Sequence, residues 1–308
     1  MTIACPLRDS LPLQISFLSA LQQDGSGESD SSSCIIPFTR AGNLILVKAK
    51  VDGTTGNFIL DTGAPGLVLN ITYFRSHSVS EENSEEQRGI TGTVGEVKKA
   101  EIADIGFGCI KAGRITADIV SLSHLENTKG VRIFGLLGLS LLKQFEVIID
   151  YENNELQINR VPGSGSLANP ANTVSGKEVD IIPIQIWDNK IVTNTSVGGK
   201  KLRLIIDSGA ESNLLDGRLP AKVLDSVDIT KRIMLNGAGA RRVEALYGNL
   251  HRLMLGDAVF FNLPVIVTNL ANTCLADNSC ADGILGYDFL SLHKIGFNFV
   301  NNKMYIWK

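Results

Sequence analysis

Two short segments of the chain carry an aspartate in the same local setting. Residues 57–70 read NFILDTGAPGLVLN, and residues 203–216 read RLIIDSGAESNLLD. In each segment three apolar residues lead into Asp-Thr/Ser-Gly-Ala, so a carboxylate follows a buried strand and precedes a glycine that permits a tight turn. A single segment of this kind is more typical of a structural Asx turn than of a catalytic loop.

Two copies of the segment change the chemistry that Asp61 and Asp207 can do. If a pseudo-two-fold axis relates the copies, it brings the two carboxyls together, and two carboxyls within hydrogen-bonding distance cannot both ionise easily. The ionised member of the pair can then take a proton from a bound water, and the protonated member can donate one to a carbonyl oxygen. The predicted chemistry is general acid–base hydrolysis without a metal or a covalent intermediate.

A second pair of similar segments lies downstream of the aspartates. Residues 134–158 read FGLLGLSLLKQFEVIIDYENNELQI, and residues 282–306 read DGILGYDFLSLHKIGFNFVNNKMYI. The two align without a gap, and each follows its aspartate at nearly the same separation, which indicates two copies of one unit. A segment rich in Pro, Gly, Ser and Asn between the copies is typical of a linker. The predicted organisation is an N-terminal extension with a linker (1–34), a first lobe (35–160), an inter-lobe linker (161–178) and a second lobe (179–308).

Each aspartate is predicted to follow a β-hairpin. Alternating apolar and polar residues at 47–51 predict a half-buried strand, Asp52-Gly53 predicts a turn, and the apolar residues 58–60 predict a strand that ends at Asp61. The second unit repeats this pattern up to Asp207, with a turn at Gly198-Gly199. Further hairpins and two short helices are predicted downstream: turns at residues 153–154 and 301–302, and helices at residues 139–144 and 288–293. The fold is therefore predicted to be mainly β.

The two aspartate motifs and their downstream partners together resemble the aspartic peptidases. The motifs are Asp61-Thr62-Gly63-Ala64 and Asp207-Ser208-Gly209-Ala210, followed by Leu136-Leu137-Gly138 and Ile284-Leu285-Gly286. The alanine that ends each aspartate motif resembles the retropepsin-like branch, and the resemblance covers nearly everything after residue 35. It implies two pseudo-two-fold-related β lobes of the retropepsin/pepsin type in one chain. It also implies an endopeptidase that acts on polypeptides, needs no cofactor or metal, and works as a monomer because both aspartates lie in one chain.

The resemblance also implies roles for individual residues. Asp61 and Asp207 would be the catalytic pair, Thr62 and Ser208 would hold the two loops together through their hydroxyls, and four glycines would support the loops: Gly63, Gly209, Gly138 and Gly286. Glycine-rich segments between the motifs would form mobile flaps over the substrate. The candidate flap residues are Ile90, Gly92, Thr93 and Val94 in the first lobe, and Gly237, Ala238 and Gly239 in the second. Ordinary hairpin turns are the alternative for both segments.

The chain departs from the family pattern in two places. Neither candidate flap carries the tyrosine found in the pepsin flap, and Asp282 of the second lobe corresponds to Phe134 of the first. Ala64 and Ala210 place no hydroxyl beside the carboxylates, which predicts a less acidic pair and activity at mildly acidic pH. The alternatives to an active enzyme are an inactive peptide- or ligand-binding pseudo-peptidase and a structural β-rich adaptor. Intact aspartates and hydroxyl residues in both motifs favour the enzyme.

Composition excludes several other functions. The 308 residues are 44% apolar and 20% charged, and 29 basic against 32 acidic residues give a net charge of -3. This balance offers no general attraction to nucleic acid or to an anionic membrane. No phosphate-binding loop motif occurs, and no apolar run approaches the ~18 residues that a membrane span needs. The four histidines lie far apart and the five cysteines form no C-x-x-C pair, so no zinc site is predicted.

The cysteines and the N-terminus bear on the compartment. Cys274 and Cys280 are close enough in sequence to close a small disulfide loop in an oxidising compartment, with two unrelated thiols as the alternative. Cys109 is predicted to be a half-buried strand residue. The first residues lack the pattern of an intact signal peptide, yet Thr2-Ile3-Ala4-Cys5 resembles the end of a bacterial lipoprotein signal; an ordinary cysteine is the alternative. These features together predict export in a bacterium (periplasmic, membrane-tethered or secreted), with the cytoplasm as the alternative.

Overall fold

β-strands make up most of the structure, as the sequence predicts, and they form two lobes. The computed structural model describes residues 33–77, 79–89, 92–161, 178–236, 242–271 and 280–308. These described residues all fall within one unit of the chain, Ser32–Lys308. The mainly β, two-lobed fold is therefore confirmed.

The first lobe is built on an eight-stranded sheet with the strand order β2-β3-β4-β9-β5-β8-β7-β6. Pairs β4–β9 and β5–β8 are parallel, and hairpin neighbours are antiparallel. The elements of this half are β1 (Ser33–Pro37), β2 (Thr39–Ala41), β3 (Leu44–Val51), β4 (Thr54–Leu60), β5 (Leu67–Asn70), β6 (Val79–Gly89), β7 (Gly92–Phe107), β8 (Ile110–Val120), α1 (Ser123–Lys129), β9 (Gly135–Leu137), a 3₁₀ helix (Leu139–Leu141), β10 (Phe145–Asp150) and β11 (Glu155–Arg160).

The second lobe has a sheet of the same design, with the order β13-β14-β15-β20-β16-β19-β18-β17. Here β15–β20 and β16–β19 are the parallel pairs. The elements are β12 (Val179–Pro183), β13 (Gln185–Trp187), β14 (Lys190–Val197), β15 (Lys200–Ile206), β16 (Leu214–Asp216), α2 (Ala221–Leu224), β17 (Val227–Asn236), β18 (Arg242–Leu255), β19 (Ala258–Thr268), β20 (Gly283–Leu285), α3 (Tyr287–Leu290), β21 (Lys294–Asn298) and β22 (Lys303–Trp307).

A third, six-stranded sheet joins the two lobes, in the order β1-β11-β10-β21-β22-β12. Its central ladder pairs β10 of the first half with β21 of the second, from Glu146↔Asn298 to Ile149↔Ile295. Buried apolar residues of both halves pack into one core, which includes Phe58 of β4 and Phe297 of β21. Because burial of apolar surface is the main stabilising contribution to folding, the shared core fixes the lobes against each other.

The predicted hairpin turns all lie between strands, and their backbone explains the residues found there. Asp52, Asn154 and Asn302 have positive φ angles of 42°, 54° and 53°, as do Gly53 and the Gly198–Gly199 pair. Glycine, asparagine and aspartate adopt this left-handed region most readily. The two predicted short helices are also present but shorter, as the 3₁₀ helix after β9 and as α3 after β20.

Cys109 is half-buried, as predicted, but its predicted place in a strand is wrong. Cys109 lies in the turn between β7 and β8 rather than within a strand, and it forms a disulfide with Cys34 of β1. This bridge links the turn of a first-lobe hairpin to β1, an edge strand of the six-stranded sheet that joins the lobes (the central sheet). Among the described residues, no helix combines the length and apolar character needed to span a membrane.

Candidate active site

Asp61 and Asp207 each follow the last residue of a buried strand, β4 and β15, and both strands end where the lobes meet. The N–H of Asp61 donates to Leu137 O at 3.0 Å, and the N–H of Asp207 donates to Leu285 O at 3.0 Å. These bonds fix each aspartate beside the short strand of its own lobe. The two carboxyls hydrogen-bond to each other, so the structure brings the predicted pair together.

The environment of the pair favours one shared proton. Burial and the neighbouring Asp207 charge raise the pKa of Asp61 from 3.8 to about 8. The N–H groups of Gly63 and Ala64 donate to Asp61 Oδ1 at 2.9 and 3.0 Å, and these hydrogen bonds lower the pKa by a smaller amount. Burial also raises the pKa of Asp207, while hydrogen bonds from the Gly209 N–H and from Asp61 oppose that rise. The pair therefore keeps a shared proton at a pH where an ordinary aspartate is ionised.

Thr62 and Ser208 lock the two loops together. Each residue's N–H donates to the other's hydroxyl oxygen, at 3.1 Å to Ser208 Oγ and 3.0 Å to Thr62 Oγ1. Each hydroxyl in turn donates to the opposite strand end: Thr62 Oγ1 to Ile206 O at 3.1 Å, and Ser208 Oγ to Leu60 O at 2.8 Å. Both side chains are buried, so these four bonds cross the lobe boundary without competition from water.

The glycines of the two motifs leave room for the opposite carboxyl. A Cβ on Gly63 would lie 2.4 Å from Asp207 Oδ2, and a Cβ on Gly209 would lie 2.4 Å from Asp61 Oδ1. No side chain fits at either position without displacing the neighbouring carboxyl. The glycines are therefore required by the close approach of the two loops.

Gly138 and Gly286 lie directly behind the aspartate loops. A Cβ on Gly138 would lie 2.2 Å from Gly66 O, and a Cβ on Gly286 would lie 2.5 Å from Ala210 O. In both lobes the residue that follows the glycine donates its N–H back to the alanine of the motif, at 2.9 Å for Leu139 and 2.8 Å for Tyr287. The downstream motif thus supports the loop that carries the aspartate.

Gly138→Ala is expected to lower the free energy of unfolding by roughly 1–3 kcal/mol, because the new methyl would overlap backbone that cannot move aside. Urea unfolding at 25 °C measures the change. Gly106→Ala is the matched control, since its Cβ would meet nothing closer than Ile110 O at 3.8 Å. Equal stabilities of the two variants would contradict the tight packing behind the loop.

Comparison with known protein families assigns both halves. Residues 47–144 match the gag-polyprotein aspartyl protease family, and residues 193–289 match the aspartyl protease family. Each matched segment contains one aspartate motif and its downstream glycine. The two halves are retropepsin-like aspartic peptidase domains. A comparison with curated proteins gives no match.

Two equivalent hairpins, β6–β7 and β17–β18, flank the segments predicted as flaps in this retropepsin-like chain. In the first lobe β6 and β7 pair up to Gly89↔Gly92, so Gly92, Thr93 and Val94 lie in the first residues of β7. Ile90 lies outside the described residues. In the second lobe β17 and β18 pair up to Asn236↔Arg242, and Gly237, Ala238 and Gly239 lie outside the described residues. Their role as flaps stays a prediction.

An ion pair between the lobes escaped sequence analysis. Lys129, at the end of α1, binds the carboxylate of Glu211, which follows the second aspartate motif directly. The Asn43 N–H also donates to Glu211 Oε2, at 3.1 Å. The first lobe has Pro65 at the position that corresponds to Glu211, so this contact exists on one side of the retropepsin-like pair only. No spacing or periodicity signals such a pair, because its members are distant in sequence.

The asymmetry between Phe134 and Asp282 has a packing explanation. Phe134 stacks on Tyr73, with ring centroids 3.9 Å apart, and its ring fills the space above Gly56, where a Cβ would lie 2.1 Å from the ring. In the second lobe Leu202 takes the place of Gly56. Asp282, smaller than phenylalanine, fits there and accepts the Arg203 N–H at 2.7 Å. Each lobe combines one large and one small residue at this position.

Other predicted features of the chain concern cysteines and metals. Cys280 is disulfide-bonded, but Cys274 lies outside the described residues, so the predicted Cys274–Cys280 bridge stays a prediction. Within the described ranges, no group of three or more His, Cys, Asp or Glu side chains could hold a metal ion.

Proposed function

We propose that this chain is an aspartic endopeptidase that hydrolyses polypeptides with a water activated by Asp61 and Asp207. The observation that carries the proposal is the contact between the two carboxyls, one from each lobe, in an environment that raises the pKa of both. Two aspartyl protease domains in one chain support the same conclusion. A purely structural role would not need two carboxyls that repel each other when ionised.

The pair would act as a general acid and a general base in one step. The ionised carboxyl takes a proton from a water held between the two, and the resulting hydroxide attacks the peptide carbonyl carbon. The protonated carboxyl donates its proton to the carbonyl oxygen, which gives a neutral tetrahedral intermediate. Proton transfer to the peptide nitrogen then breaks the C–N bond and restores the shared proton.

The surroundings of the pair suit a single-chain enzyme that acts on extended peptides. The long β6–β7 and β17–β18 hairpins are the candidate flaps, and closure of such hairpins would exclude water from the bond under attack. Because each lobe supplies one carboxyl, we propose that the monomer is active. The Cys34–Cys109 disulfide supports the proposal that the protein is exported to an oxidising compartment, since such bonds are rare in the cytosol.

A peptide-library digest with mass-spectrometric readout tests the function. We expect cleavage at defined peptide bonds, and we expect a peptide analogue that mimics the tetrahedral intermediate to bind and to stop cleavage. Binding of library peptides without any cleavage would instead support an inactive pseudo-peptidase. Absence of both binding and cleavage would contradict the proposal.

The pH dependence of cleavage is expected to be a bell that extends to neutral pH. The pair works only with one proton, and because burial and Asp207 raise the pKa of Asp61 to about 8, kcat/KM should fall only as pH rises through about 8. On the acid side, activity should fall when the second proton binds, so the maximum lies at mildly acidic to neutral pH. A cleavage rate that still increases as pH is lowered below about 3 would contradict this expectation.

A further inference from the structure

Lys190 occupies a special place relative to Asp207. β14 and β15 pair in register from Val197↔Lys200 to Ile191↔Ile206. Continuing that register by one residue places Lys190, the first residue of β14, opposite Asp207, which directly follows β15. Residues opposite each other in an antiparallel pair have Cβ atoms about 5 Å apart and share a face. Lys190 is half-buried, and its charge acts on Asp207.

The first lobe has a different residue at the corresponding position. β3 and β4 pair with Leu46↔Ile59, and continuing that register by two residues places Leu44 opposite Asp61. Leu44 is 3% exposed and packs in the apolar cluster that includes Ile59 and Ala64. The two aspartates, related by the fold, thus have a cation beside one and a hydrocarbon beside the other.

The backbone around Lys190 holds it in place. The preceding turn between β13 and β14 contains Asp188 and Asn189, both with positive φ angles (48° and 54°), which makes it a tight hairpin connection. Lys143 of the first half donates to Asn189 Oδ1 at 2.6 Å, so this turn is fixed against the opposite lobe. The turn that precedes Lys190 is therefore held by residues of both halves.

From this placement we infer that Lys190 is a positioning residue that assigns the shared proton to Asp61 and keeps Asp207 ionised. The inference rests on the proposed function and deepens it, because Asp207 becomes the base that activates water and Asp61 the acid that protonates the substrate carbonyl. A positive charge stabilises a nearby carboxylate, whereas an apolar neighbour favours the neutral acid. Burial raises the pKa of both groups, but Lys190 opposes that rise at Asp207, and the hydrogen bond between the carboxyls raises the pKa of Asp61 and lowers that of Asp207, which agrees with this assignment.

Other charged and titratable groups do not cancel the effect of Lys190. Within the described residues, Asp61 and Lys190 act on the pKa of Asp207, and Asp207 acts on that of Tyr151 together with Tyr287 and Arg40. Burial raises the pKa of Tyr151, with smaller contributions from Tyr287 and Asp207, so Tyr151 stays neutral. The Arg40 guanidinium donates to Tyr287 Oη at 3.2 Å. Lys190 is the cation of this group on the strand that pairs with β15.

A titration of single carboxyls tests the inference without relying on activity. In Asp61→Asn protein, ¹³C NMR follows the titration of the Asp207 carboxyl without its ionisable partner. In Asp207→Asn protein, it follows the titration of the Asp61 carboxyl in the same way. Adding Lys190→Met is expected to raise the pKa of Asp207 by roughly half a unit to one unit and that of Asp61 by less. Lys190→Arg should restore the original value, and Lys200→Met, at the exposed opposite end of the same hairpin, should leave both unchanged.

The outcomes separate this inference from the proposed function. An unchanged Asp207 titration in Lys190→Met protein, or an equal or larger shift at Asp61, overturns the role of Lys190. In the otherwise unaltered chain, Lys190→Met should also shift the acid limb of the kcat/KM profile to higher pH, by the same number of pH units. A chain that cleaves no peptide but shows the NMR shift disproves the proposed function and leaves the role of Lys190 intact.

Discussion

Asp61→Asn is expected to lower kcat/KM for peptide cleavage by roughly a thousandfold, and Asp207→Asn by a similar factor. Asparagine matches aspartate in size and keeps the oxygen that accepts the loop N–H bonds, so the loops should retain their arrangement. It cannot, however, accept a proton from water or release one to the substrate. Either substitution therefore removes a step that the pair performs together.

The double variant sharpens this prediction. In the proposed mechanism the two carboxyls act as one unit, so Asp61→Asn combined with Asp207→Asn should be no slower than either single variant. Asp257→Asn, in an exposed turn between β18 and β19, is the matched control and should leave kcat/KM unchanged. Cleavage that survives either active-site substitution at more than a tenth of the original rate would rule out the proposed pair.

Asp61→Asn is also expected to stabilise the fold. Since the pKa of Asp61 is raised from 3.8 to about 8, the folded chain binds this proton more tightly than the unfolded chain. The stabilisation that this group contributes is complete below about pH 4 and is lost as pH rises through about 8. Asparagine avoids that loss, so the gain in Tm of Asp61→Asn should be larger at pH 8 than at pH 4. An equal Tm difference at both values would contradict the raised pKa.

Removal of the Cys34–Cys109 bridge is expected to lower the free energy of unfolding by about 3 kcal/mol. The bond links residues 75 positions apart, so it removes a large loop-closure entropy from the unfolded chain. It also holds β1, an edge strand of the central sheet, against the β7–β8 turn. The active-site loops do not include either cysteine, so kcat/KM at 25 °C should be retained.

Paired substitutions measure the contribution of this bridge better than a reductant. Cys280 is also disulfide-bonded, so reduction would break more than one bond. Urea unfolding of Cys34→Ala/Cys109→Ala protein against the original chain isolates the single bridge, and a Cys109→Ala variant alone should lose a similar amount. If the double variant unfolds at the same urea concentration as the original, the bridge contributes nothing to stability.

Local sequence patterns were sufficient to predict the strands and turns that lead into the aspartates. The turn at Asp52-Gly53 and its counterpart at Gly198-Gly199 depend on residues that tolerate positive φ, and such residues are recognisable without a structure. The repeated motifs also predicted which loops should meet. The contact of Asp61 with Asp207 follows from that repetition combined with family resemblance rather than from either aspartate alone.

Contacts between distant residues were beyond the reach of local patterns. Cys34 was not paired with Cys109 because spacing favours close cysteines, and only the fold brings β1 beside the β7–β8 turn. The six-stranded sheet was missed for the same reason, since its central ladder joins strands from different lobes. The compensation between Gly56 of β4 and Phe134, which directly precedes β9, became visible only when the fold placed β9 beside β4.

The unequal neighbours of the two aspartates also bear on how a substrate would lie. A polypeptide has an amino end and a carboxyl end, so an active centre with identical sides would accept it equally well either way round. Here Lys190 stands where the first lobe has Leu44, and Glu211 stands where it has Pro65. A chain that encodes both sides separately can therefore distinguish the two directions in which a polypeptide could bind. Two copies of one identical subunit cannot do so until the bound polypeptide itself breaks their symmetry.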